Sequence, residues 1–288
     1  MIIIDLVRGL GNQMFEYAFY SRLKSMGKDV AFRKSYSIED VIKYGDNEVY
    51  EVFNTDCRFA TQEEYERIKQ KNGSIPFRIM NKLGISKNLF VDEKPYYGEY
   101  NEKFLNYENA YLTGYWQTDR YFECIKNDIF EAFTPKIDFN DKCKEMIKVI
   151  NSDESSISVH VRLGDYLDAN NQIVYGNICT PEYYKKAMSY MRYKVKNPTF
   201  YLFSNDLVGA ERLFEGKDVR IMKCNTLIEG WADIYLMSQC RHNIIANSSF
   251  SWWGAYLNRN VHKIVVAPSR WVNTYKMPDI CPEDWVRI

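Results

Sequence analysis

The sequence predicts an α/β protein built from two lobes, and three observations support this class. Apolar, β-branched runs alternate with helical patterns over residues 156–267, an order typical of a doubly wound parallel sheet. Residues 2–26 follow the order strand, glycine turn, helix. The length of 288 residues suffices for one large core or two of ordinary size. We therefore predict an N-terminal lobe at 1–150 and a C-terminal lobe at 151–288, which face each other across a cleft.

The first lobe opens with the pattern of a buried parallel strand over residues 2–7. The turn Arg8-Gly-Leu-Gly-Asn-Gln13 follows. Apolar residues at helical spacing then predict a helix over 14–26, which Gly27 ends before a strand at 30–32. The other elements predicted in this lobe are helices at 61–71, 75–83, 121–133 and 142–150 and a strand at 111–116.

The second lobe begins after the polar stretch 151–156, which we take as the boundary. Its best-marked helix starts at Thr180, a typical N-cap residue, with Pro181 at the first helical position and Glu182 next. The other elements predicted in this lobe are strands at 156–162, 199–203, 219–222, 243–246 and 264–267 and helices at 208–214, 231–240 and 250–258.

Composition and charge exclude several classes of protein. Lys plus Arg and Asp plus Glu are equal at 38 each, so no excess cations exist for the phosphate contacts of a nucleic-acid partner. Seven cysteines without a C-x-x-C pair favour a reducing compartment over a disulfide framework. An acidic residue follows three apolar ones at the N-terminus, unlike a signal peptide, and no apolar run approaches the roughly 18 residues of a spanning helix. We expect a cytoplasmic protein without a transmembrane segment.

The stretch His160 to Tyr166 is the strongest candidate for a ligand site. Side chains alternate along a strand, so His160 and Arg162 point to the same side, and Gly164 then allows a sharp turn before Asp165. Arg162 is thereby placed at the carboxyl end of a strand, where open α/β sheets bind ligands, and its planar fork suits phosphate oxygens. The alternative is an Arg162–Asp165 ion pair that only closes the loop.

Small polar and acidic residues follow two other strands of this lobe. Asp206 can accept two hydrogen bonds side by side, which suits a guanine edge or a ribose diol. A helix that begins near Phe250 offers its first amides and the preceding hydroxyls to an anion, although simple helix capping is the alternative. The two segments are Ser204-Asn205-Asp206 and Asn247-Ser248-Ser249. Together with Arg162, they predict a nucleoside-diphosphate pocket.

The first-lobe turn differs from a dinucleotide fingerprint, because the third glycine is absent and no acidic residue follows at the expected strand end. It nevertheless places Arg8, Asn12 and the bare backbone of Gly9 and Gly11 at a helix start. The sequence lacks an Asp-x-Asp triplet, and its three histidines lack metal-ligand spacing, so a metal-dependent diphosphate site is disfavoured. Neither a nucleophile elbow nor a Walker loop occurs, which argues against an acyl hydrolase or a kinase.

Five blocks of this sequence, in order along nearly the whole chain, resemble the α-1,2-fucosyltransferases of glycosyltransferase family 11. The resemblance implies a GT-B fold of two Rossmann-like lobes. It also implies inverting, metal-independent transfer of L-fucose from GDP-β-L-fucose to the 2-hydroxyl of a terminal galactose, with no further cofactor. The absence of a membrane anchor is more like the bacterial, soluble members. The blocks are Gly-Leu-Gly-Asn-Gln-Met-Phe at 9–15, Gly-Tyr-Trp-Gln at 114–117, His-Val-Arg-Leu-Gly-Asp-Tyr at 160–166, Phe-Ser-Asn-Asp at 203–206 and Asn-Ser-Ser-Phe-Ser-Trp-Trp-Gly at 247–254.

The resemblance also implies roles for individual residues. Arg162 grips the β-phosphate and stabilises charge as GDP leaves, Asp206 reads guanine, and His160 lies close to the nucleotide. Asn12, which is a candidate catalytic residue together with Arg162 and Asp165, faces the fucose or the phosphates, as does Arg8. The remaining residues of the predicted donor site are Gly9, Gly11, Ser204, Asn247, Ser248, Ser249 and Phe250.

An inverting displacement needs a base for the acceptor proton. Asp165 is the leading candidate, although a carboxylate there could instead brace Arg162 or bind nucleotide. Glu16 is the second candidate, at a position where the family usually has glutamine, which favours a structural role. Two further departures are Leu163, where a second arginine is common, and Asn205, where aspartate is common.

Two other functions compete with a fucosyltransferase. One is a related inverting transferase with another linkage or sugar nucleotide. The other is a catalytically silent glycan-binding or nucleotide-binding protein, which the buried charges of Arg162, Asp165 and Asp206 disfavour, because such charges are costly without a ligand. The expected partners are GDP-fucose and a galactose-terminated glycan of O-antigen or other glycan biosynthesis, with room for peripheral contact with a lipid-linked acceptor.

Overall fold

The computed structural model describes residues 1–34, 48–82, 89–162, 169–212, 214, 216–223 and 230–288. The chain divides into two compact units, of which the first extends to Thr134 and the second begins at Pro135. This division precedes the boundary that we predicted at 151–156. The helix Asp141–Ser152 packs on the helix Gly230–Gln239 and therefore lies with the second unit.

The first unit is a four-stranded parallel sheet in the order β2-β1-β4-β3. Its strands are β1 (Ile2–Leu6), β2 (Val30–Lys34), β3 (Phe90–Asp92) and β4 (Ala110–Thr113). Its α-helices are α1 (Leu10–Ser25), α2 (Val49–Val52), α3 (Gln62–Gly73), α4 (Ile75–Lys82) and α5 (Lys126–Ala132), and short 3-10 helices span Lys94–Tyr96, Glu102–Asn106, Asp119–Tyr121 and Glu123–Ile125.

Strand β3 and helix α2 were not predicted, and three predicted elements of this unit have different bounds. Helix α1 begins at Leu10 instead of residue 14, because Gly9, at φ +96°, makes the whole turn after β1. Strand β4 ends at Thr113 instead of residue 116, since Trp116 has a left-handed backbone at φ +48°. The helix predicted at 121–133 is divided, and only its last part is α-helical.

The second unit is a six-stranded parallel sheet in the order β10-β9-β8-β5-β6-β7. Its strands are β5 (Ser156–Val161), β6 (Thr199–Ser204), β7 (Val219–Ile221), β8 (His242–Ile244), β9 (Val265–Ala267) and β10 (Val286–Arg287). Its helices are α6 (Asp141–Ser152), α7 (Ala169–Tyr175), α8 (Pro181–Lys194), α9 (Leu207–Glu211), α10 (Gly230–Gln239) and α11 (Ser249–Tyr256). The predicted α/β class, with two Rossmann-like units, is thereby confirmed.

Strand β5 is buried on both faces, and its two faces differ in chemistry. Ile157, Val159 and Val161 join the apolar core beneath α8. On the other face, the Ser158 hydroxyl accepts a hydrogen bond of 2.7 Å from the Asn243 side chain. His160 follows on this polar face, as the alternation along the strand predicted.

The strand order distinguishes the two sheets. In the first sheet, the connections from β1 to β2 and from β3 to β4 run in the same direction, and β1 and β4 are the central pair of strands. In the second sheet, the connections after β5 and after β8 run in opposite directions, so a switch point lies between these two strands. Open α/β sheets bind ligands outside the carboxyl ends of the strands at such points.

Within the described part of the chain, we find no helix with both the length and the apolar composition that crossing a membrane requires.

Candidate functional site

The switch point of the second sheet brings His160 beside the start of α11, with Arg162 close enough for its charge to act on the His160 imidazole. Arg162 is the first residue after β5 and is half-buried. His160 is 3% exposed, and its ring centroid lies 5.4 Å from that of Phe250 in the first turn of α11. Two strands that are neighbours in space thus deliver these groups to one edge of the sheet.

His160 is held as a neutral imidazole. Burial, together with the neighbouring positive charge of Arg162, lowers its pKa to about 3. Its Nδ1 atom has no hydrogen-bond partner among the described residues, while its carbonyl oxygen accepts from the Tyr184 hydroxyl at 3.1 Å. A buried imidazole nitrogen in this condition is suited to meet a ligand.

The N-terminus of α11 is built differently from an ordinary capped helix. Ser248 occupies the N-cap position and is 7% exposed, yet its hydroxyl makes no capping hydrogen bond. At the N-terminus of α8, by contrast, the Thr180 hydroxyl accepts from the Tyr183 amide. The helix-capping alternative for Ser248 therefore lacks its hydrogen bond here, because the hydroxyl does not bind the first amides of α11.

The rest of the block at 247–254 fixes this helix start in place. The Asn247 side chain donates to the carbonyl oxygens of Tyr175 and Trp271, at 3.2 and 3.0 Å. Trp252 and Trp253 are fully buried and serve as core residues. At Gly254, a Cβ atom would lie 2.8 Å from the Met237 Cβ, so only glycine allows α11 to approach α10 this closely.

The segment after β6 places Asp206 at the same edge, because Ser204 pairs with Val161 in the sheet register. The Asp206 amide donates to the Ser204 hydroxyl at 3.1 Å. Asp206 is also the N-cap of α9, where its Oδ1 accepts from the Gly209 amide at 2.9 Å. We predicted two carboxylate oxygens for guanine, and the structure shows one of them already engaged in capping. Asn205 is exposed.

Asp165 lies outside the described residues, as does Leu163. The candidate base that we ranked first therefore stays a prediction.

The carboxyl ends of β1 and β4, which are neighbours in the first sheet, bring two of the motif blocks together. The Gln117 side chain, which follows β4, donates to Asn12 Oδ1 at 3.0 Å. Asn12 lies in the first turn of α1, which follows β1, and Gly11 beside it is buried. The block at 9–15 and the block at 114–117 thus meet through one amide–amide hydrogen bond.

Arg8 is engaged by a carboxylate that we did not predict. Its Nη1 atom lies 3.0 Å from Glu48 Oε1, and both side chains are almost completely buried. Gln13 donates to the second oxygen of Glu48 at 3.0 Å and accepts from the Val49 amide at 2.9 Å. We predicted that Arg8 binds the donor. In the structure, its positive charge is paired with Glu48 of the same unit.

Glu16 braces the turn after β1. It is fully buried, and its Oε2 accepts from the Val7 amide at 3.1 Å. Burial raises its pKa well above the ordinary value, and the nearby carboxyls of Asp5, Glu93 and Glu48 add to this shift. A carboxyl that is neutral and sealed from solvent is poorly suited to receive an acceptor proton, which favours the structural role.

Glu93 and Glu48 are the residues at this edge that sequence reasoning missed. Glu93 is fully buried just after β3, and its Oε2 accepts from the amides of Tyr115 and Trp116, at 2.6 and 2.8 Å. An acidic residue after a strand end is a usable signal, but β3 has three residues and was not predicted. Glu48 lies near no predicted strand end, so the sequence offered no comparable signal.

Comparison with known proteins identifies the family. The model of glycosyl transferase family 11 matches residues 91–288. The chain belongs to glycosyltransferase family 11.

The relatives of this family 11 protein include bacterial and animal enzymes. An alpha-1,2-colitosyltransferase of Escherichia coli is 31% identical, with 100% of this chain and 99% of the relative covered. The O-antigen biosynthesis glycosyltransferase WbnK of Escherichia coli is 29% identical, with 97% and 98% covered. Galactoside alpha-(1,2)-fucosyltransferase 2 of Pongo pygmaeus is 25% identical, with 54% of this chain and 48% of the relative covered. This family 11 protein is therefore a glycosyltransferase that forms an α-1,2 linkage.

Among solved structures, the fucosyltransferase NodZ from Bradyrhizobium is similar to the family 11 protein with a TM-score of 0.47 and 16% identity, and 96% of this chain and 99% of that chain are covered.

Proposed function

We propose that this glycosyltransferase moves L-fucose from GDP-β-L-fucose to the 2-hydroxyl of a terminal β-galactoside, with inversion at the anomeric carbon and without a metal ion. The observation that carries this proposal is the meeting of Arg162, His160 and the start of α11 at the switch point of the second sheet. A nucleoside diphosphate is the ligand class whose charge and shape suit this edge.

The diphosphate is assigned to Arg162 and the first turn of α11. The Arg162 guanidinium can donate two parallel hydrogen bonds to phosphate oxygens, and the amides of a helix start favour the same negative charge. Ser248, whose hydroxyl makes no capping bond, adds a further donor. These groups stabilise the charge that develops on GDP as it leaves, and Arg162 supplies the positive charge that a metal ion provides in other transferases.

Guanine is assigned to Asp206. With Oδ1 engaged by the Gly209 amide, Oδ2 accepts one hydrogen bond from the guanine edge. A second bond requires Oδ1 to accept from two donors at once, which a carboxylate oxygen with two lone pairs allows. The helix cap then holds the carboxylate in the orientation that reads the base.

The acceptor is assigned to the carboxyl edge of the first sheet, where Asn12 and Gln117 present amide groups of the kind that pair with sugar hydroxyls. The 2-hydroxyl oxygen attacks C1 of the donor sugar and forms the new C–O bond. The bond between C1 and the phosphate oxygen breaks, and GDP leaves with its electron pair. We assign the acceptor proton to Asp165, since the geometry of Glu16 favours a structural role.

A second donor has a specific observation in its favour. The whole chain matches an alpha-1,2-colitosyltransferase at 31% identity. Colitose is fucose without the 3-hydroxyl, so GDP-colitose presents the same nucleotide and diphosphate. The two donors differ only in whether the protein pairs with that hydroxyl, and a site built to pair with it rejects the deoxy sugar by a factor of about 10⁴.

The experiment is a transfer assay with GDP-fucose, GDP-colitose, GDP-mannose and UDP-galactose, each with a β-galactoside acceptor in EDTA. We expect GDP release and an α-1,2-linked product, identified by NMR, with GDP-fucose as the better donor by kcat/KM. Greater kcat/KM with GDP-colitose would transfer the assignment to that donor.

Three other results would contradict the proposal. Binding of GDP-fucose without turnover would indicate the silent binding protein. Transfer from GDP-mannose or UDP-galactose alone would indicate another sugar nucleotide. A strict requirement for a divalent metal would refute the role given to Arg162.

A further inference from the structure

The loop after β4 has a backbone that needs external support. Trp116 adopts a left-handed conformation at φ +48°, which is rare for a bulky residue. Its ring is fully buried and stacks on Phe19 with centroids 4.4 Å apart. Packing fixes the ring, but the two amides that this turn exposes to the protein interior still need an acceptor.

Glu93 supplies that acceptor. One carboxyl oxygen, Oε2, accepts from both Tyr115 and Trp116, while the other has no hydrogen-bond partner among the described residues. A Cβ atom at Gly114 would lie 2.4 Å from the Glu93 Cβ, so the glycine creates the space that the side chain occupies. Gly114 and the Glu93 carboxyl group together therefore determine the backbone path of this loop.

The next residue along the loop connects this turn to the proposed acceptor site. Gln117 directly follows Trp116 and donates to Asn12 at 3.0 Å. The chain of contacts from Glu93 through the Trp116 amide to Gln117 and Asn12 lies wholly within the first unit. Displacement of the loop would move the amide that orients Asn12.

We propose that Glu93 is a positioning residue for the transfer reaction: it fixes the 114–117 loop, and through Gln117 it fixes the orientation of Asn12. This inference rests on the proposed function, which places Asn12 at the acceptor. Glu93 itself is fully buried, so the proposal gives it no contact with the acceptor.

The first test compares Glu93→Leu, which removes both acceptors at similar volume, with Glu93→Gln, which keeps a carbonyl oxygen for the two amides. We expect Glu93→Leu to lower kcat per folded molecule about 100-fold, because a displacement near 1 Å in a reacting site has that effect. Glu93→Gln restores most of the rate. The dissociation constant for GDP, measured calorimetrically, stays within about twofold, because the phosphate site is assigned to the other unit.

A double mutant separates positioning from general support of the fold. If Glu93 acts through Asn12, then Glu93→Leu combined with Asn12→Ala is no slower than Asn12→Ala alone. The exposed Glu99→Leu is the matched control in the same segment, with wild-type rates expected. Independent, multiplying losses in the double mutant, or a Glu93→Leu rate equal to that of the control, would overturn the proposal.

Two further measurements keep the inference separate from the proposed function. A crystal structure of Glu93→Leu should show the Gln117–Asn12 hydrogen bond broken, whichever sugar the enzyme transfers, and an intact bond would refute the positioning role. If Glu93→Leu does not fold, Gln117→Leu carries the kinetic test, since it removes only the last contact. A wild-type kcat for Gln117→Leu would then overturn the inference.

Discussion

The carboxyl edges of the two parallel sheets differ in their chemistry. The edge of the first sheet is rich in buried acids, with Asp5, Glu16, Glu48 and Glu93 all less than 9% exposed. The edge of the second sheet presents Arg162, a neutral His160 and a helix start. One edge is therefore unsuited to a diphosphate, and the other is suited to it.

The difference shows how the edge of a parallel sheet obtains its chemistry. In both units, parallel pairing brings the carboxyl ends of separate chain segments to one edge. The residues just beyond the strand ends then decide the ligand. In the first unit, backbone amides and Arg8 occupy the carboxyl groups of Glu93, Glu16 and Glu48. These acids therefore shape the loops of the edge that we assign to the acceptor.

The largest effect is expected at Arg162. Arg162→Ala should lower turnover about 100- to 1,000-fold, because the mutation removes the charge that stabilises departing GDP. The melting temperature should change little, since the side chain lies beyond the end of β5. Steady-state kinetics and thermal unfolding measure the two effects.

Arg241→Ala is the matched control, because this exposed arginine precedes β8 at the opposite end of the same sheet. It should retain wild-type turnover. If the Arg162→Ala enzyme is fully active, then Arg162 does not distinguish the second sheet edge as the donor-phosphate site.

The two edges should also respond to pH in opposite directions. Burial raises the pKa of Glu93 from 4.5 to about 7, so its contribution to stability is complete below pH 4.5 and is lost as the pH rises through 7. The loss amounts to about 3 kcal/mol at 1.36 kcal/mol per pKa unit. Asp92 and Glu16 are the acids that interact with Glu93. For His160, the pKa is lowered to about 3, so its contribution is present above pH 6.5 and is lost as the pH falls through 3.

Denaturant unfolding between pH 3 and pH 8 tests these signs. The stability of wild type relative to Glu93→Gln should fall between pH 4.5 and pH 7, and that of wild type relative to His160→Gln should fall below pH 6.5. Parallel pH curves for wild type and either variant would contradict the corresponding assignment.

A smaller effect distinguishes the starts of two helices in the second unit. Ser248→Ala should weaken GDP binding about fivefold, which is about 1 kcal/mol, with little change in stability, because the hydroxyl makes no capping bond. Thr180→Ala should do the reverse and cost about 1 kcal/mol of stability, since Thr180 caps α8. Calorimetric titration with GDP and denaturant unfolding measure both variants. A loss of stability in Ser248→Ala, without loss of affinity, would restore the capping interpretation.

The smallest effect is expected for Glu16→Gln. The glutamine carbonyl can accept the same hydrogen bond from Val7, and burial already keeps the native carboxyl neutral. We therefore expect kcat to remain within about twofold of wild type. A loss of 100-fold or more would make Glu16 the base and remove Asp165 from that role.

Much of the second unit could be predicted from sequence, because β5 and β6 are long apolar strands and helices with clear start signals follow between the strands. Thr180 and Pro181 mark the start of α8 correctly, and the alternation along β5 places His160 correctly. Gly9 was recognised as a turn, but its positive φ, which starts α1 at Leu10, was not.

The features that could not be predicted from the sequence depend on contacts between residues that are far apart in the chain. Glu48 reaches Arg8 across 40 positions of the chain, and Glu93 reaches Trp116 across 23. In neither pair does the local sequence around one residue predict its distant partner. The left-handed turn at Trp116 is stabilised by tertiary contacts with Phe19 and Glu93. The conformational propensities of single residues do not predict such contacts.

The most direct test of the donor site is a crystal structure of the protein with GDP bound. We predict that the β-phosphate lies about 3 Å from the Arg162 guanidinium and from the first amides of α11, with guanine against Asp206. A diphosphate bound elsewhere, with Arg162 paired to Asp165 instead, would contradict the assignment of the second sheet edge to the donor.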